Sequence, residues 1–555
     1  MTIEISESLK REIGQHFVLG FPGLDVTPGI VSLIQEYYVG AIIIMKRNVQ
    51  DVRQLRTLIA KLQSAAREAG HDAPLLIGID QENGLVSAFS RDTPLGGTQF
   101  PGPMALAATD DPVLVEKVYA ATASEMRLCG INWDYAPVCD INSEPKNPVI
   151  DPSKVSELAA AAAKGLTSQG IAPSPKHFPG HGDTHIDSHL GLPRIMKTID
   201  ELEHIELVPF KHLINNGVAT VMTGHMALPL ISGDDKPCSL SRVITHNLLR
   251  EKLGYNGVVV TDCLEMDAIV KTYGTEDGAV EALKAGADIV MICHRFEKQI
   301  GAIKAVYSAF LSDGLSKEDL TASGKRIQYL KERYVGSWDD VIVPDIDIPA
   351  FEKQQYVNKS VQQEAYLRGV VVLQDTSHIL PLPKAPGSIV LFTPIIETLN
   401  RAIDDPESAF RTPDGTLKNI AGPSYLLFAK AILEKSQTSS VQHVVYGPHD
   451  NPSFDLPATT TIIFATRQAD QSSWQLKYLS SFLQTLHAKQ PIIVLATLTP
   501  YEVLSPIAGM GAAYMCTFEY TAEALQSAAS IIFGESSPHG VLPVKSAPKS
   551  SFLLQ

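Results

Sequence analysis

One unit recurs over the first 300 residues: a short β-branched or aliphatic run, a polar stretch, then a segment with helical periodicity. The runs that read as strands are His16 to Phe21, Ala41 to Met45, Leu75 to Ile79, Asn132 to Val138, Ala172 to Lys176, Thr220 to Thr223, Gly257 to Thr261 and Ala287 to Ile292. Amphipathic helical stretches such as Val52 to Glu68 and Pro112 to Leu128 fall between most of them. Such alternation predicts parallel strands joined by crossover helices, and eight repeats predict a closed (β/α)8 TIM barrel.

At 555 residues the chain exceeds what one core usually supports, so a second domain is expected. The proline-spaced segment from Val341 to Pro349 has the low periodicity of a linker. This predicts a barrel over 1–340, a linker over 341–360 and a carboxyl-terminal α/β sandwich domain over 361–555. In that last part Val370 to Leu373, Ser388 to Phe392, His443 to Tyr446, Thr460 to Ala465, Ile492 to Leu498 and Ala512 to Cys516 read as strands of an open sheet. It contains no glycine-rich phosphate loop and no dinucleotide fingerprint, so no cofactor is expected.

The balance of 46 basic against 61 acidic residues, net −15, and the lack of a basic run argue against nucleic acid or an anionic membrane as partner. Cysteines 129, 139, 238, 263, 293 and 516 have no paired spacing and read as reduced, buried thiols. The segment Met1 to Lys10 carries Glu4, Glu7 and Lys10 where a secretory signal needs apolar residues, and no stretch is long enough to span a bilayer. A cytoplasmic location follows as the expectation.

The segment Lys176-His177-Phe178-Pro179-Gly180-His181-Gly182-Asp183-Thr184-His185-Ile186-Asp187-Ser188-His189 concentrates four histidines, two aspartates and a lysine. Unpaired charges are costly to bury, and its glycines and proline impose backbone shapes that core elements avoid, so it reads as a loop presenting side chains to a ligand. The histidines recur at every fourth position, as on one face of a helix. Pro179, Gly180 and Gly182 disfavour that helix, by about 3 kcal/mol for an interior proline and about 1 for a glycine, so no metal site is expected from this spacing. Within Asp187-Ser188-His189 the carboxylate can orient one ring nitrogen of the imidazole, leaving the other to give or take a proton.

A second reactive group stands at the end of Gly257-Val258-Val259-Val260-Thr261-Asp262, where a buried strand meets its loop. In a (β/α)8 barrel, active sites gather on the loops beyond the carboxyl ends of the strands. Asp80, Asp140, Lys176 with His177, His225, Asp262 and His294 all come at or just past such ends. Taken singly, Asp140 and His294 read as cap or turn residues. Trp133 and Tyr135 could stack on a ligand, but barrel core is the stronger expectation for both.

Lys176 to Asp183, followed by Asp187-Ser188-His189 and Gly191-Leu192-Pro193, resembles the signature of glycoside hydrolase family 3 in its β-N-acetylglucosaminidase branch. Asp80-Gln81-Glu82-Asn83-Gly84, Pro101 to Leu106, Ala136 to Asp140 and Val260-Thr261-Asp262 resemble further segments of that family, and the similarity covers nearly the whole chain. The resemblance implies a retaining exo-β-N-acetylglucosaminidase acting on small N-acetylglucosamine-containing glycosides. It also implies Asp262 as nucleophile, His189 as acid/base oriented by Asp187, and Asp80, Lys176, His177 and His225 as sugar-binding groups. Retaining glycosidases usually employ two carboxyls. A neutral imidazole in the acid/base role does not repel anions, which leaves phosphate open as an acceptor besides water. The family's β-glucosidase branch draws an acid/base carboxylate from the second domain; Glu519 and Glu535 are the candidates, read here as structural. A sugar-binding protein on a weakened hydrolase scaffold is the alternative of a different class.

The chain departs from the family pattern after Asn147-Pro148-Val149-Ile150, where relatives continue through Gly-Val-Arg-Ser and this chain goes straight to Asp151-Pro152-Ser153. No arginine lies between Arg127 and Arg194, so the family's sugar-gripping arginine is missing, with Lys146 and Lys154 as possible substitutes, and Leu85 stands where many relatives have another arginine. A charge-assisted hydrogen bond is worth roughly 1.5–3 kcal/mol, about ten- to a hundred-fold in affinity. Restoring a Gly-Val-Arg-Ser loop after Ile150 is therefore expected to lower KM by about that factor; an unchanged KM at full activity would contradict this.

Overall fold

The structure, a computed structural model, describes residues 5–90, 93, 95–141, 151–182, 191–395, 421–437, 441–470, 472–486, 490–501 and 512–544. The eight apolar runs of the first half all form strands: β1 (Phe17–Leu19), β2 (Ala41–Ile44), β3 (Leu76–Ile79), β4 (Trp133–Asp134), β5 (Ala172–Pro173), β6 (Thr220–Thr223), β7 (Val258–Cys263) and β8 (Ile289–Ile292). They pair in parallel in the order β5-β4-β3-β2-β1-β8-β7-β6. The ring closes just beyond β5, where the Met222 N–H donates to the Pro175 carbonyl at 3.0 Å and the Phe178 N–H donates to the Met222 carbonyl at 2.8 Å. β4 and β5 are shorter than the apolar runs that contain them. Pro137, Pro173 and Pro175 have no N–H for a ladder, so pairing there thins to bridges such as Val138 with Lys176.

Alternation along each strand builds two cores. Val18, Ile43, Met222, Val260 and Met291 pack inside the barrel, while neighbours such as Leu19, Ile42 and Val259 face the surrounding helices. Trp133 and Tyr135 belong to the inner core: both are fully buried, their rings lie 4.9 Å apart, and the Trp133 indole N–H donates to the Thr220 hydroxyl at 3.0 Å. The outer helices start where capping residues stand. Asp51 accepts from the Gln54 N–H at the head of Val52–Glu68, and Asp111 accepts from the Val113 and Leu114 N–H groups at the head of Pro112–Cys129.

Residues 342–347 lack regular structure, and the helix Ile348–Gly369 then packs along Pro112–Cys129. There the Asn358 amide donates to the Glu125 carboxylate at 2.7 Å and to the Ala121 carbonyl at 3.1 Å. A second sheet follows, with β9 (Val371–Gln374), β10 (Ile389–Pro394), β11 (Val441–Tyr446), β12 (Thr461–Thr466), β13 (Ile492–Ala496) and β14 (Ala513–Cys516) in the order β9-β14-β13-β12-β10-β11. Only β9 runs antiparallel to its neighbour. Both faces are covered: Leu391, Ile463 and Leu495 pack with Phe428, Ile432 and Leu525, while Phe392 and Phe464 pack with Tyr478 and Phe482. All six cysteines are free and buried. No helix among the described residues is long and apolar enough to cross a membrane.

Asp288, fully buried at the entrance to β8, fastens the amino-terminal side of the barrel. Its carboxylate accepts from Arg250 at 2.6 Å, from Arg326 at 2.7 Å and from the Val259 N–H of β7 at 2.7 Å. Removing it leaves two guanidinium groups without their counter-charge. Asp288→Ala is expected to cost about 3–5 kcal/mol in denaturant unfolding, and a loss below about 1 kcal/mol would show that the cluster does not hold this seam.

Candidate active site

The carboxyl ends of β3, β4, β5 and β7 bring one set of ionised side chains together. Lys176, just past β5, is almost enclosed, its side chain 5% exposed, and its ammonium donates to Asp80 at 2.6 Å and meets Glu82 at 2.8 Å. Burial alone would lower the Lys176 pKa, but the two carboxylates beside it raise it above the usual lysine value. Asp80 follows β3 directly. Glu82 is brought round by a two-stranded hairpin, Gln81–Asn83 with Val86–Ser87, whose turn includes Asn83 and Gly84 at φ 70° and 59°. A Cβ on Gly84 would lie 2.7 Å from Gly102 Cα, so glycine is required there both by conformation and by space.

His177 lies beside this lysine and is held by Asp140, which follows the β4 segment. Its Nδ1 is 2.7 Å from Asp140 Oδ2, while Asp140 Oδ1 accepts from the His177 and His181 backbone N–H groups at 3.1 and 2.8 Å. Burial would raise the Asp140 carboxyl, but the charge and hydrogen bond of His177, helped by His181, hold it at about 2. Burial likewise opposes the charge on His177, and Asp140 and Asp262 override it and raise the imidazole. Asp140 thus holds the turn through one oxygen, the role expected for it, and engages the imidazole through the other. The loop can pass this close because Gly182 has no side chain; a Cβ there would fall 1.6 Å from the Ile141 carbonyl oxygen.

Asp262 sits near the end of β7, its side chain 19% exposed, with Oδ2 3.9 Å from His177 Nε2 and Oδ1 accepting from the Cys263 N–H at 2.6 Å. Burial pushes this carboxyl up, but His177, His225 and the Cys263 N–H outweigh that and lower it, so it is an anion at neutral pH. His225 is fully buried below it. One ring nitrogen is 2.7 Å from the Ser239 hydroxyl and the other 3.0 Å from the Cys263 carbonyl. A carbonyl can only accept, which assigns a proton to Nε2, and burial lowers the His225 pKa. His225 therefore braces the residue after Asp262.

The structure brings together Asp80, Lys176, His177 and Asp262, with His225 behind them. Asp187 and His189 fall in 183–190, and Lys146 in 142–150, all outside the described residues. Lys154 is engaged at the barrel exterior by Asp110. Glu82, which the sequence reading does not single out, and Asp140, one of the strand-end residues, complete the cluster. Alternation from Asp80 to Glu82 was the available signal for the first, and position at a strand end for the second. Glu519 has a structural partner set: it accepts from the Gly102 N–H at 2.6 Å, the Thr521 hydroxyl at 2.7 Å and the Tyr366 hydroxyl at 3.0 Å, joining the barrel to the second sheet. Burial pushes its carboxyl up to about 7. Glu535 is exposed and paired with Lys435.

Relatives of known name share this architecture. Beta-hexosaminidase A of Pseudoalteromonas piscicida is 34% identical over 336 residues, covering 55% of this chain and 55% of that protein. A beta-hexosaminidase of Neisseria meningitidis serogroup B is 34% identical over 271 residues, 46% of this chain and 72% of its own length. Among solved structures, a fungal multi-domain family 3 β-N-acetylglucosaminidase with a GCN5-related glucosamine N-acetyltransferase region superposes with a TM-score of 0.84 at 33% identity, over 97% of this chain and 60% of that one. The family 3 β-N-acetylglucosaminidase of Paenibacillus sp. str. FPU-7 gives 0.80 at 29% identity, over 97% and 99%. The chain thus spans little more than half of the Pseudoalteromonas and fungal proteins. Its residues 9–330 match the profile of the glycosyl hydrolase family 3 N terminal domain, and the chain belongs to that family.

Proposed function

We propose that the protein is a retaining exo-β-N-acetylglucosaminidase that releases terminal β-linked N-acetylglucosamine from small glycosides. The observation that carries this is the ionised Asp262 carboxylate at the barrel rim, 3.9 Å from an imidazole that is itself held by the Asp140 carboxylate. In the first step an Asp262 oxygen attacks the anomeric carbon, the glycosidic C–O bond breaks, and His189 gives its proton to the leaving oxygen. In the second, His189 takes a proton from water, whose oxygen displaces Asp262 and frees the sugar. Asp187 orients the His189 ring, and Asp80, Lys176 and His177 bind sugar hydroxyls. Lys176 is too enclosed to act as a mobile base; it fixes two acceptor carboxylates at the rim. Support from relatives comes from the proteins named beta-hexosaminidase and β-N-acetylglucosaminidase, to which the chain is 29–34% identical.

A chromogenic aryl N-acetylglucosaminide tests the assignment. Asp262→Ala should lower kcat/KM by about 10⁴-fold or more, while His189→Ala should slow substrates with poor leaving groups far more than activated aryl glycosides. Sugar binding without turnover in the unmodified chain would favour the non-catalytic alternative, and sugar 1-phosphate formed on adding inorganic phosphate would make the acceptor phosphate.

The His177–Asp140 pair also fixes a pH dependence. The folded-state pKa of His177 is raised, so its stabilisation is complete below the unfolded value of about 6.5 and is lost as pH rises through the folded one. Asp140 is held at about 2, so its share is present above about 3.9 and lost as pH falls towards 2. Asp140→Asn should lower the His177 pKa, followed by NMR of the ring protons, and flatten the alkaline limb of the stability profile. An unmoved His177 titration would contradict the pairing.

A further inference from the structure

Adjacent barrel strands bring three metal-binding side chains together that are far apart in the chain. Cys263 ends β7 and pairs in register with Met291 of β8, and Cys293 lies two residues further along, on the same side of its strand as Met291. His294 follows. The two sulfurs and a ring nitrogen of His294 all lie within 4.8 Å of one another, and among the described residues this is the one group of three such donors that converges. We propose that Cys263, Cys293 and His294 bind a thiophilic divalent cation of the zinc class, next to the carboxylate of Asp262.

Two thiolates and an imidazole suit a borderline-soft ion in tetrahedral geometry, with the fourth position left to water. Metal–sulfur bonds of about 2.3 Å and metal–nitrogen bonds of about 2.0 Å hold donors within about 4 Å of each other, so the site need contract by only about 1 Å. Both thiols are buried and His294 is exposed, which gives an ion a route in from solvent. On binding, the two S–H bonds break, their protons pass to solvent and two metal–sulfur bonds form, with no change of oxidation state. The surrounding charges are mixed. Arg47 donates to His294 Nδ1 at 3.3 Å and to the Cys293 carbonyl at 2.7 Å, and a cation taking that nitrogen displaces the first contact. Opposing it are the Glu265 carboxylate, which accepts from the His294 N–H at 2.6 Å, and the nearby Asp80.

The site is coupled to Asp262 through Cys263, whose N–H donates to that carboxylate and whose carbonyl accepts from His225. Drawing the Cys263 sulfur towards a metal shifts the residue that holds Asp262 in place, so occupancy should slow turnover. That consequence rests on the role proposed for Asp262; the binding itself does not.

The full chain can be titrated with Co²⁺, whose thiolate complexes absorb strongly in the near ultraviolet, with Zn²⁺ as competitor. One cobalt per chain, a charge-transfer band and its removal by zinc are expected. Cys293→Ser should abolish the band, and His294→Ala should keep it while weakening zinc affinity by about tenfold or more. Absence of the band in the folded chain, or a band unchanged in Cys293→Ser, would overturn the site. Cobalt binding that leaves glycoside release unaffected would support the site and overturn its coupling to Asp262.

Discussion

The candidate site depends on one buried cation. The Lys176 ammonium, enclosed at the rim and shared between Asp80 and Glu82, ties together the end of β3, the hairpin after it and the end of the β5 segment. Without it, two carboxylates would face each other in a partly dehydrated space, where an uncompensated charge costs several kcal/mol. Asp140 stays ionised against His177, and both His177 and Lys176 favour an ionised Asp262. Two paired sets meet at Asp262, Lys176 with Asp80 and Glu82 on one side and His177 with Asp140 on the other.

That arrangement explains how Asp262 can be a nearly buried anion at neutral pH. Burial opposes the charge on Lys176, Asp140, His177 and Asp262 alike. The buried Asp134 shows the contrast. It accepts from the Gln81 N–H, but its surroundings do not offset desolvation, and burial pushes its carboxyl far above the usual range. Two aspartates of one strand segment, Asp134 in β4 and Asp140 just past it, therefore differ because only Asp140 has an imidazole beside it.

Much of the barrel was legible in the sequence, because fully buried parallel strands appear as short continuous apolar runs and each of the eight is followed by a helical period or a polar rim residue. The strand ends at 137 and 173–175 were not, since apolar residues there continue past the point where prolines stop the ladder. At the site, Asp80, Lys176, His177 and Asp262 could be picked out because strand ends in this fold point into one space. The local sequence of Asp140 fits a cap or turn, and it does hold the turn at His177 and His181; only the fold shows that the His177 ring comes to meet its other oxygen. The convergence of Cys263 with Cys293 was likewise invisible, since it depends on the register between β7 and β8. In the second sheet, the six strands followed from their apolar runs, while the link from Glu519 to Gly102 and Tyr366 is a long-range contact that no local pattern announces.

In the proposed reaction Asp262 becomes bonded to the sugar. Incubating the protein with a fluorinated N-acetylglucosaminide that forms the glycosyl-enzyme faster than it is hydrolysed, then mapping the adduct by peptide mass spectrometry, addresses this directly. One sugar on the peptide containing Asp262, absent in Asp262→Asn, is the predicted result. Label on Asp80, Glu82 or Asp140 instead, or turnover of the same compound with inversion at the anomeric carbon, would contradict it.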